Sequence, residues 1–327
     1  MIPLSVLDLV PVREGEGPRE AMAQTAQYAK AAEDAGYKRF WIAEHHATEG
    51  VSGGAASLVI AHVGHATKTI RIGSGGIMLP NHNPFVIAEQ FGTLDALFPG
   101  RVDLGLGRAP GAAPILGQAL RKQLSQAAEY FPQDVVELRA LLTGDVELPI
   151  KATPGLGAQV EMWMLGSSLF GAQLAARLGM PYAFASHFAP DHLDAALTLY
   201  RENFEPSQWL AKPHAMAAMS VIAAESDAEA ELLASSQDQA FYKLRSGDPG
   251  KLPPPVKDFR ASLPQQGQAM LEKLDVARAI GGSARVREAI GRFVERTKAD
   301  ELIVSAAIFD PEARCRSLEL TTRALTG

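Results

Sequence analysis

The sequence predicts an α/β fold, a (β/α)8 barrel with insertions. Short apolar segments of strand type alternate with longer amphipathic segments, and this alternation occurs eight times. Such a pattern indicates repeated βα units that build a parallel sheet. The chain has 327 residues, somewhat more than the roughly 250 of a typical barrel, which leaves room for insertions. A doubly wound open sheet is the alternative.

The predicted elements follow one another along the whole chain. The candidate strands are Ile2–Leu7, Arg39–Ala43, Ile70–Leu79, Val102–Leu106, Glu161–Leu165, Tyr182–Ala185, Ala215–Ala224 and Glu301–Ala306. Helix signals lie between them. They are Arg19–Ala35 closed by Gly36, a segment opened by Asn83-Pro84 and ending at Leu97, another opened by Pro190-Asp191, and a last one capped by Ser283.

The additional length lies mainly in two insertions, at residues 144–157 and 247–267. The second begins with Gly247-Asp248-Pro249-Gly250-Lys251-Leu252-Pro253-Pro254-Pro255, which cannot form a regular helix or strand. A loop of this length is either a lid or a disordered insertion, and we expect a mobile lid. No linker divides the chain, so we expect one domain over residues 1–327.

Composition indicates a small-molecule enzyme. The formal net charge is −6 and there is no run of lysines or arginines, which argues against nucleic acid or an anionic membrane surface as partner. No segment reaches the roughly 18 apolar residues of a membrane span, and the first residues do not resemble a signal peptide. We therefore expect a cytoplasmic protein. Its single cysteine, Cys315, excludes an internal disulfide.

Polar and small residues occur where the predicted strands end. In parallel α/β folds the carboxyl ends of the strands bind ligands, so these residues are candidate site residues. They are Glu44, His45 and His46 after the second strand, Gly75-Gly76 in the third, Arg108 after the fourth, Gly166-Ser167-Ser168 after the fifth and His187 after the sixth.

Two adjacent imidazoles follow the second strand. Because successive strand side chains point to opposite faces, His45 and His46 should diverge, one toward the barrel mouth and one away from it. We therefore do not expect them to bind one metal together. A structural hydrogen-bonding role is the alternative for either ring.

The segment Gly166-Ser167-Ser168 precedes a helix predicted over Leu169–Leu178. Free backbone N–H groups, two hydroxyls and the positive helix end suit a phosphate, although an ordinary N-cap has the same sequence. Arg108 can supply a charged fork to that phosphate, with a rim salt bridge as the alternative. The run Gly105-Leu106-Gly107-Arg108-Ala109-Pro110 is only weak evidence for a dinucleotide site, because Pro110 replaces the third glycine.

Paired glycines are unusual inside a strand, because they leave no side chains to pack. Gly75-Gly76 therefore permits close approach by a flat ligand, or forms a β-bulge.

Taken together, these motifs resemble the bacterial luciferase-like flavin-dependent monooxygenases, in an uncharacterised bacterial branch. The resemblance covers most of the chain and is weakest in the two insertions. It rests on Ala43-Glu44-His45-His46, Thr48-Glu49, Gly73-Ser74-Gly75-Gly76-Ile77-Met78-Leu79-Pro80, Pro84, Gly100-Arg101, Gly105-Leu106-Gly107-Arg108 and Ala185-Ser186-His187-Phe188-Ala189-Pro190-Asp191.

The resemblance implies a barrel that binds reduced FMN at its carboxyl rim. Gly75-Gly76 match the family's non-prolyl cis peptide beneath the flavin. Arg108 and the turn Gly166-Ser167-Ser168 match its phosphate site, and His45 matches the active-site histidine of luciferase. The chain departs from luciferase at Ser167, at Gly107 and near His187, where luciferase has glutamate, cysteine and tryptophan. We therefore do not expect aldehyde oxidation or light emission.

The implied reaction starts with FMNH2 from a separate NAD(P)H:flavin reductase, since the chain has no nicotinamide fingerprint. O2 would add at the flavin C4a position, and the resulting hydroperoxide would oxygenate a small organic substrate. His45 is the candidate proton-transfer group, with Glu44 as its orienting partner. The lid would exclude water from the reaction.

Three alternatives remain at this point. The chain could be a deazaflavin-dependent oxidoreductase of the same superfamily, a non-catalytic flavin-binding protein, or, more distantly, a metal hydrolase. The last depends on His62-x-x-His65, which we interpret as helix-packing histidines, and we predict no metal site. The helices predicted over Ala55–Ala66 and Pro84–Leu97 are rich in alanine and apolar residues, and with the resemblance they favour a homodimer.

Overall fold

Eight parallel strands form a closed barrel in the computed structural model, which describes residues 2–109 and 115–327. Each strand pairs with the next along the chain as far as β7, after which β7 pairs with β9 and β9 with β1. The barrel prediction is therefore confirmed. The strands are β1 (Leu4–Asp8), β2 (Arg39–Ile42), β3 (Arg71–Met78), β4 (Val102–Gly107), β5 (Glu161–Gly166), β6 (Tyr182–Phe184), β7 (Ala215–Ala223), β8 (Arg278–Gly281) and β9 (Glu301–Ser305).

Helices connect the strands on the outside of the barrel. Those of the described residues are α1 (Pro18–Asp34), α2 (Ala56–Ala66), α3 (Pro84–Leu97), α4 (Ile115–Leu120), α5 (Leu124–Glu129), α6 (Phe131–Thr143), α7 (Leu169–Arg177), α8 (Leu193–Glu202), α9 (Asp227–Arg245), α10 (Phe259–Ser262), α11 (Gln265–Glu272), α12 (Ser283–Thr297) and α13 (Pro311–Thr326). Single 3-10 turns cover Leu79–Asn81, Pro190–His192 and Lys273–Ala277.

The predicted start of α3 is confirmed. Pro84 occupies its first turn, and the Asn83 side chain accepts a hydrogen bond from the backbone N–H of Phe85, as an N-cap residue does. The end of α1 agrees as well, because Gly36 has the positive φ of 80° that favours glycine after a helix.

Three expectations were wrong in detail. A ninth strand, β8, was not predicted; it pairs with Ser220–Ala223 in the second half of β7, outside the eight-stranded closure. Ser283 is the first helical residue of α12, because the extended N-cap position is Gly282. The insertion at 247–267 is irregular only as far as Asp258, since α10 and the start of α11 lie within it.

Two apolar layers form the core. The inner layer fills the barrel and includes Leu7, Trp41, Trp163, Met216 and Ile303. The outer and larger layer packs the strands against the surrounding helices. Burial on both faces explains why the strands read as continuous apolar runs.

A buried ionic network fills the amino-terminal end of the barrel, and Arg39 is its centre. The Arg39 guanidinium donates to Glu301 at 3.0 Å, to Asp103 at 2.8 Å and to Glu161 at 3.0 Å. It also lies over the Trp163 ring, 4.8 Å from the ring centroid. Four different strands are thus joined through one side chain.

The side chains at the centre of this network are removed from water. Asp103 and Glu301 are fully buried and Arg39 is 3% exposed. Burial alone would raise the pKa of the Glu301 carboxyl. Hydrogen bonds from its neighbours and the positive charge of Arg39 outweigh burial and lower the pKa to about 2. Arg71 provides a second cation for Asp103, at 2.5 Å. Each buried charge therefore has an opposite charge beside it, as burial requires.

None of the helices in the described residues is both long and apolar enough to cross a membrane.

Replacing Arg39 by Met should leave Asp103 and Glu301 buried without their central cation. We expect the free energy of unfolding to fall by about 3–5 kcal/mol, measured by urea denaturation. The control is Arg292→Met, which removes an exposed partner of Glu288 and should change the stability by less than about 0.5 kcal/mol. Equal effects of the two substitutions would contradict a central role for Arg39.

Candidate active site

A cavity of about 370 Å³ opens at the carboxyl ends of the strands. Its volume is typical of small-molecule sites. Its lining is mostly apolar and includes Leu7, Leu9, Trp41, Leu165, Phe184, Phe188, Phe241 and Ile303. The polar residues in the lining include His45, His187, Ser220, Gln237 and Ser305. The site lies at the strand ends, as the sequence predicted.

The loop after α9 covers part of this cavity. Pro249, Gly250 and Leu252 belong to the lining. The Leu252 backbone exchanges two hydrogen bonds with the chain after β1, donating to Val12 at 2.8 Å and accepting from Glu14 at 2.9 Å. The predicted lid loop therefore lies over the site, and its mobility stays a prediction.

His45 and His187 line the cavity from opposite sides of the barrel, after β2 and β6. The Nδ1 atom of each ring is buried and has no hydrogen-bond partner among the described residues. Burial lowers the pKa of His45. Burial, with the nearby charge of His45, lowers the pKa of His187 to about 4. Both imidazoles are therefore neutral near pH 7.

Glu44 does not hold His45 by a hydrogen bond. Its buried Oε1 accepts from Nε2 of His46 at 2.5 Å and from Nε2 of His82 at 2.8 Å. Its Oε2 accepts from the backbone N–H of Met78 at 3.3 Å. Burial alone would raise the pKa of Glu44. The hydrogen bonds and charges of the two histidines outweigh burial, so the pKa of Glu44 is lowered overall. The expectation that Glu44 orients His45 is corrected, because its hydrogen bonds go to His46, His82 and the end of β3.

Glu44, His46 and His82 also bring potential metal-ligand atoms within 4.8 Å of one another. In the structure these three side chains satisfy each other by hydrogen bonds. His82 was not predicted as a site residue, although it closely follows the carboxyl end of the predicted strand Ile70–Leu79. His45 and His46 do diverge as predicted, one lining the cavity and the other bonding to Glu44.

Gly75 and Gly76 are joined by a cis peptide bond, as the resemblance implied, and Gly75 lies in the cavity lining. A Cβ on Gly75 would be 2.6 Å from Leu7 Cδ1, and one on Gly76 would be 2.6 Å from the Gly105 carbonyl oxygen. At Gly76 the obstacle is backbone and leaves no room for a side chain, whereas at Gly75 the Leu7 side chain would have to move. The register between β3 and β4 also shifts between Ser74 and Ile77. This irregularity is consistent with the β-bulge that the sequence offered as the alternative.

Arg108 and the turn before α7 lie side by side. The Arg108 guanidinium is 3.9 Å from the centroid of the Phe170 ring, and Arg108 has no ion pair among the described residues. Ser168 is the N-cap of α7, but its side chain makes no capping hydrogen bond. An exposed arginine, a free helix end and unused hydroxyls at Ser167 and Ser168 together form a set of anion donors. Pro110 lies outside the described residues.

His62 and His65 do not reach the site. His62 Nε2 donates to the Met22 carbonyl oxygen at 3.2 Å, and His65 packs edge-on against Phe98. Their interpretation as helix-packing residues is confirmed.

The chain matches the family described as "Luciferase-like monooxygenase" over residues 2–301. It is 47% identical over 320 residues to a protein of Escherichia coli K12 with the same description, covering 98% of this chain and 96% of that protein. The chain therefore belongs to the luciferase-like monooxygenase family. Membership makes it an oxidoreductase of the monooxygenase class.

Solved structures agree with this assignment. Apo-MsnO8 is 33% identical, with a TM-score of 0.89 over 99% of this chain and 98% of that one. The oxygenating constituent of 3,6-diketocamphane monooxygenase from Pseudomonas putida, solved with FMN, is similar in fold, with 17% identity and a TM-score of 0.72 over 99% and 98%. An F420-dependent secondary alcohol dehydrogenase shares the fold too, with 16% identity and a TM-score of 0.71 over 100% and 99%.

Gly50→Ala should displace the covering loop, because a Cβ at Gly50 would lie 2.2 Å from the Gly250 carbonyl oxygen. We expect amide hydrogen exchange at Leu252 and Glu14 to accelerate, since the bond from the Leu252 N–H to Val12 and the bond from the Glu14 N–H to Leu252 would both be strained. Gly250→Ala is the matched control from the other side of the contact, where a Cβ meets open space. The prediction fails if both variants exchange at the wild-type rate.

Proposed function

We propose that this protein is a flavin-dependent monooxygenase that uses reduced FMN and O2 to oxygenate a small, mainly apolar organic molecule. The observation that carries the proposal is the juxtaposition of three features on one barrel rim. They are the glycine floor at residues 75–76, the anion donors around Arg108, and the apolar cavity that contains His45.

The residues present fit FMN. A flat ring needs a surface without side chains, and Gly75 supplies one within the cavity lining. A phosphate needs cations and N–H donors, and these are provided by Arg108 and by the turn of Gly166, Ser167 and Ser168. When bound, reduced flavin supplies the two electrons and the activation of O2.

The protein's own part is binding, shielding and proton transfer. His45 lines the cavity and is neutral near pH 7, and its Nε2, the ring nitrogen open to the cavity, is the atom that exchanges a proton with a bound molecule. Glu44 acts indirectly, because it ties His46 and His82 to the end of β3 just beyond the glycine floor. The loop at Leu252 and the apolar walls exclude water from the reacting atoms.

Two partners complete the proposal. A separate NAD(P)H:flavin reductase supplies the reduced cofactor. A second copy of the chain covers exposed apolar side chains on α2 and α3, where Leu58 is 72%, Val86 43% and Leu97 52% exposed. Such an unpartnered surface is typical of an interface between subunits.

Arg108→Met should weaken FMN binding by roughly ten- to hundred-fold, because it removes a charged donor to the phosphate. Riboflavin, which lacks the phosphate, should bind equally to the variant and the wild type. The control Arg177→Met changes an exposed arginine at the other end of α7 and should leave both affinities unchanged. Isothermal titration under reducing conditions measures them, and an equal loss for both flavins would remove Arg108 from the phosphate site.

The function itself is tested by mixing anaerobic protein and reduced FMN with oxygen. We expect an absorbing species distinct from both reduced and oxidised FMN, and we expect His45→Ala to bind flavin but release hydrogen peroxide faster. His62→Ala, outside the cavity, is the control and should behave as wild type.

Two results would contradict the monooxygenase. One is binding of the deazaflavin coenzyme F420 but not of FMN, which would favour hydride transfer without oxygen. The other is oxygen consumption without oxidation of any compound in a broad substrate screen, which would favour a flavin-binding role without oxygenation.

A further inference from the structure

We propose that His187 is a specificity-determining residue, and that with His45 it selects an uncharged substrate with an apolar body and one strong hydrogen-bond acceptor. The acceptor would lie between the two rings. The inference rests on the proposed function only in placing the substrate in this cavity.

The hydrogen-bonding state of the His45 and His187 rings determines what each ring offers to a bound molecule. In each ring Nδ1 is buried without a partner among the described residues. An N–H left there would be a buried unpaired donor, which costs free energy. The proton is therefore favoured on Nε2, the ring nitrogen that remains open to the cavity. Both rings then present an N–H donor to a bound molecule.

The position of His187 is fixed by its neighbours. Ser186 donates from Oγ to the Ala218 carbonyl oxygen, and Ala185 donates from its backbone to Gly166 at 2.9 Å. On the other side, Phe188 packs edge-on against Phe241, with their ring centroids 6.0 Å apart. A residue whose chain neighbours are held on both sides can discriminate between ligands, because its backbone does not rearrange to suit each one.

The rest of the cavity argues against a charged ligand. Its lining contains two charged side chains among the described residues, and both are already paired. Arg314 donates to Asp8 at 2.7 Å, and Asp238 accepts from Arg260 at 2.7 Å. Neither His45 nor His187 carries a charge near pH 7. The ligand chemistry that the apolar walls and the two histidines favour is apolar contact plus one acceptor for two N–H donors.

The experiment compares two probes of the same shape, 2-octanone and 2-methyl-1-octene, in which a methylene group replaces the carbonyl oxygen. Binding is measured by isothermal titration on the full chain, with and without oxidised FMN. Wild type should prefer the ketone by about three- to ten-fold, the range of one net hydrogen bond. His187→Phe should lower this preference to what the His45 N–H alone provides, whereas His187→Gln, which keeps an N–H donor, should retain most of it.

A second measurement uses wild-type protein alone. Long-range ¹H–¹⁵N spectra at pH 7 should show both rings neutral with the proton on Nε2, and 2-octanone should shift both Nε2 signals. A proton on Nδ1, an undiminished ketone preference in His187→Phe, or no ketone binding at all would overturn the proposal. None of these readouts involves O2 or turnover, so failure of the monooxygenase reaction is distinguishable from failure of this inference.

Discussion

The ionic network around Arg39 is the constraint on which the rest of the barrel depends. A barrel of eight strands must fill its interior, and the amino-terminal end is filled here by one guanidinium that joins β2 to β4, β5 and β9. Trp41 and Trp163 pack above it, and the Nε1 of Trp41 donates to the same Asp103 carboxylate at 2.9 Å. The polar groups at the amino-terminal end of the barrel therefore bind one another. The carboxyl end is mainly apolar and open to a ligand.

Most of the fold could be predicted from the sequence because the barrel strands are buried on both faces and read as apolar runs. The ninth strand could not, because Arg278-Ala279-Ile280-Gly281 offers only two apolar residues, between an arginine and a glycine, and lacks the large apolar side chains of the other short strands. Ser283 was predicted as the N-cap because a serine at the first helical position and a serine at the N-cap give the same sequence pattern. Only the backbone angles distinguish the two positions, since the N-cap residue is extended and the next residue is helical.

The site could be predicted where its residues come directly from the ends of the barrel strands. His45, Gly75, Arg108 and Ser168 were expected on one rim because the carboxyl ends of parallel strands meet there. The partners of Glu44 were not predictable, because which of several nearby imidazoles a carboxylate reaches depends on side-chain directions in two different loops. The lack of a hydrogen-bond partner for the buried Nδ1 of His187, within the part of the chain that the structure describes, was equally hidden. A sequence shows that a histidine is present, not that it lacks a hydrogen bond.

The attachment of the covering loop has a consequence for how this protein could acquire new substrates. The two hydrogen bonds that hold Leu252 are made by backbone groups on both sides, and the contact between Gly50 and Gly250 involves no side chain. Side chains at Pro249 and Leu252, which line the cavity, can therefore change without removing these backbone contacts. Such replacements would alter the chemistry of the cavity, while the backbone hydrogen bonds and the Lys251 side chain, which donates to the Glu16 carbonyl oxygen at 2.6 Å, still hold the loop. Substrate recognition by this loop can therefore change separately from the backbone contacts that hold the loop in place.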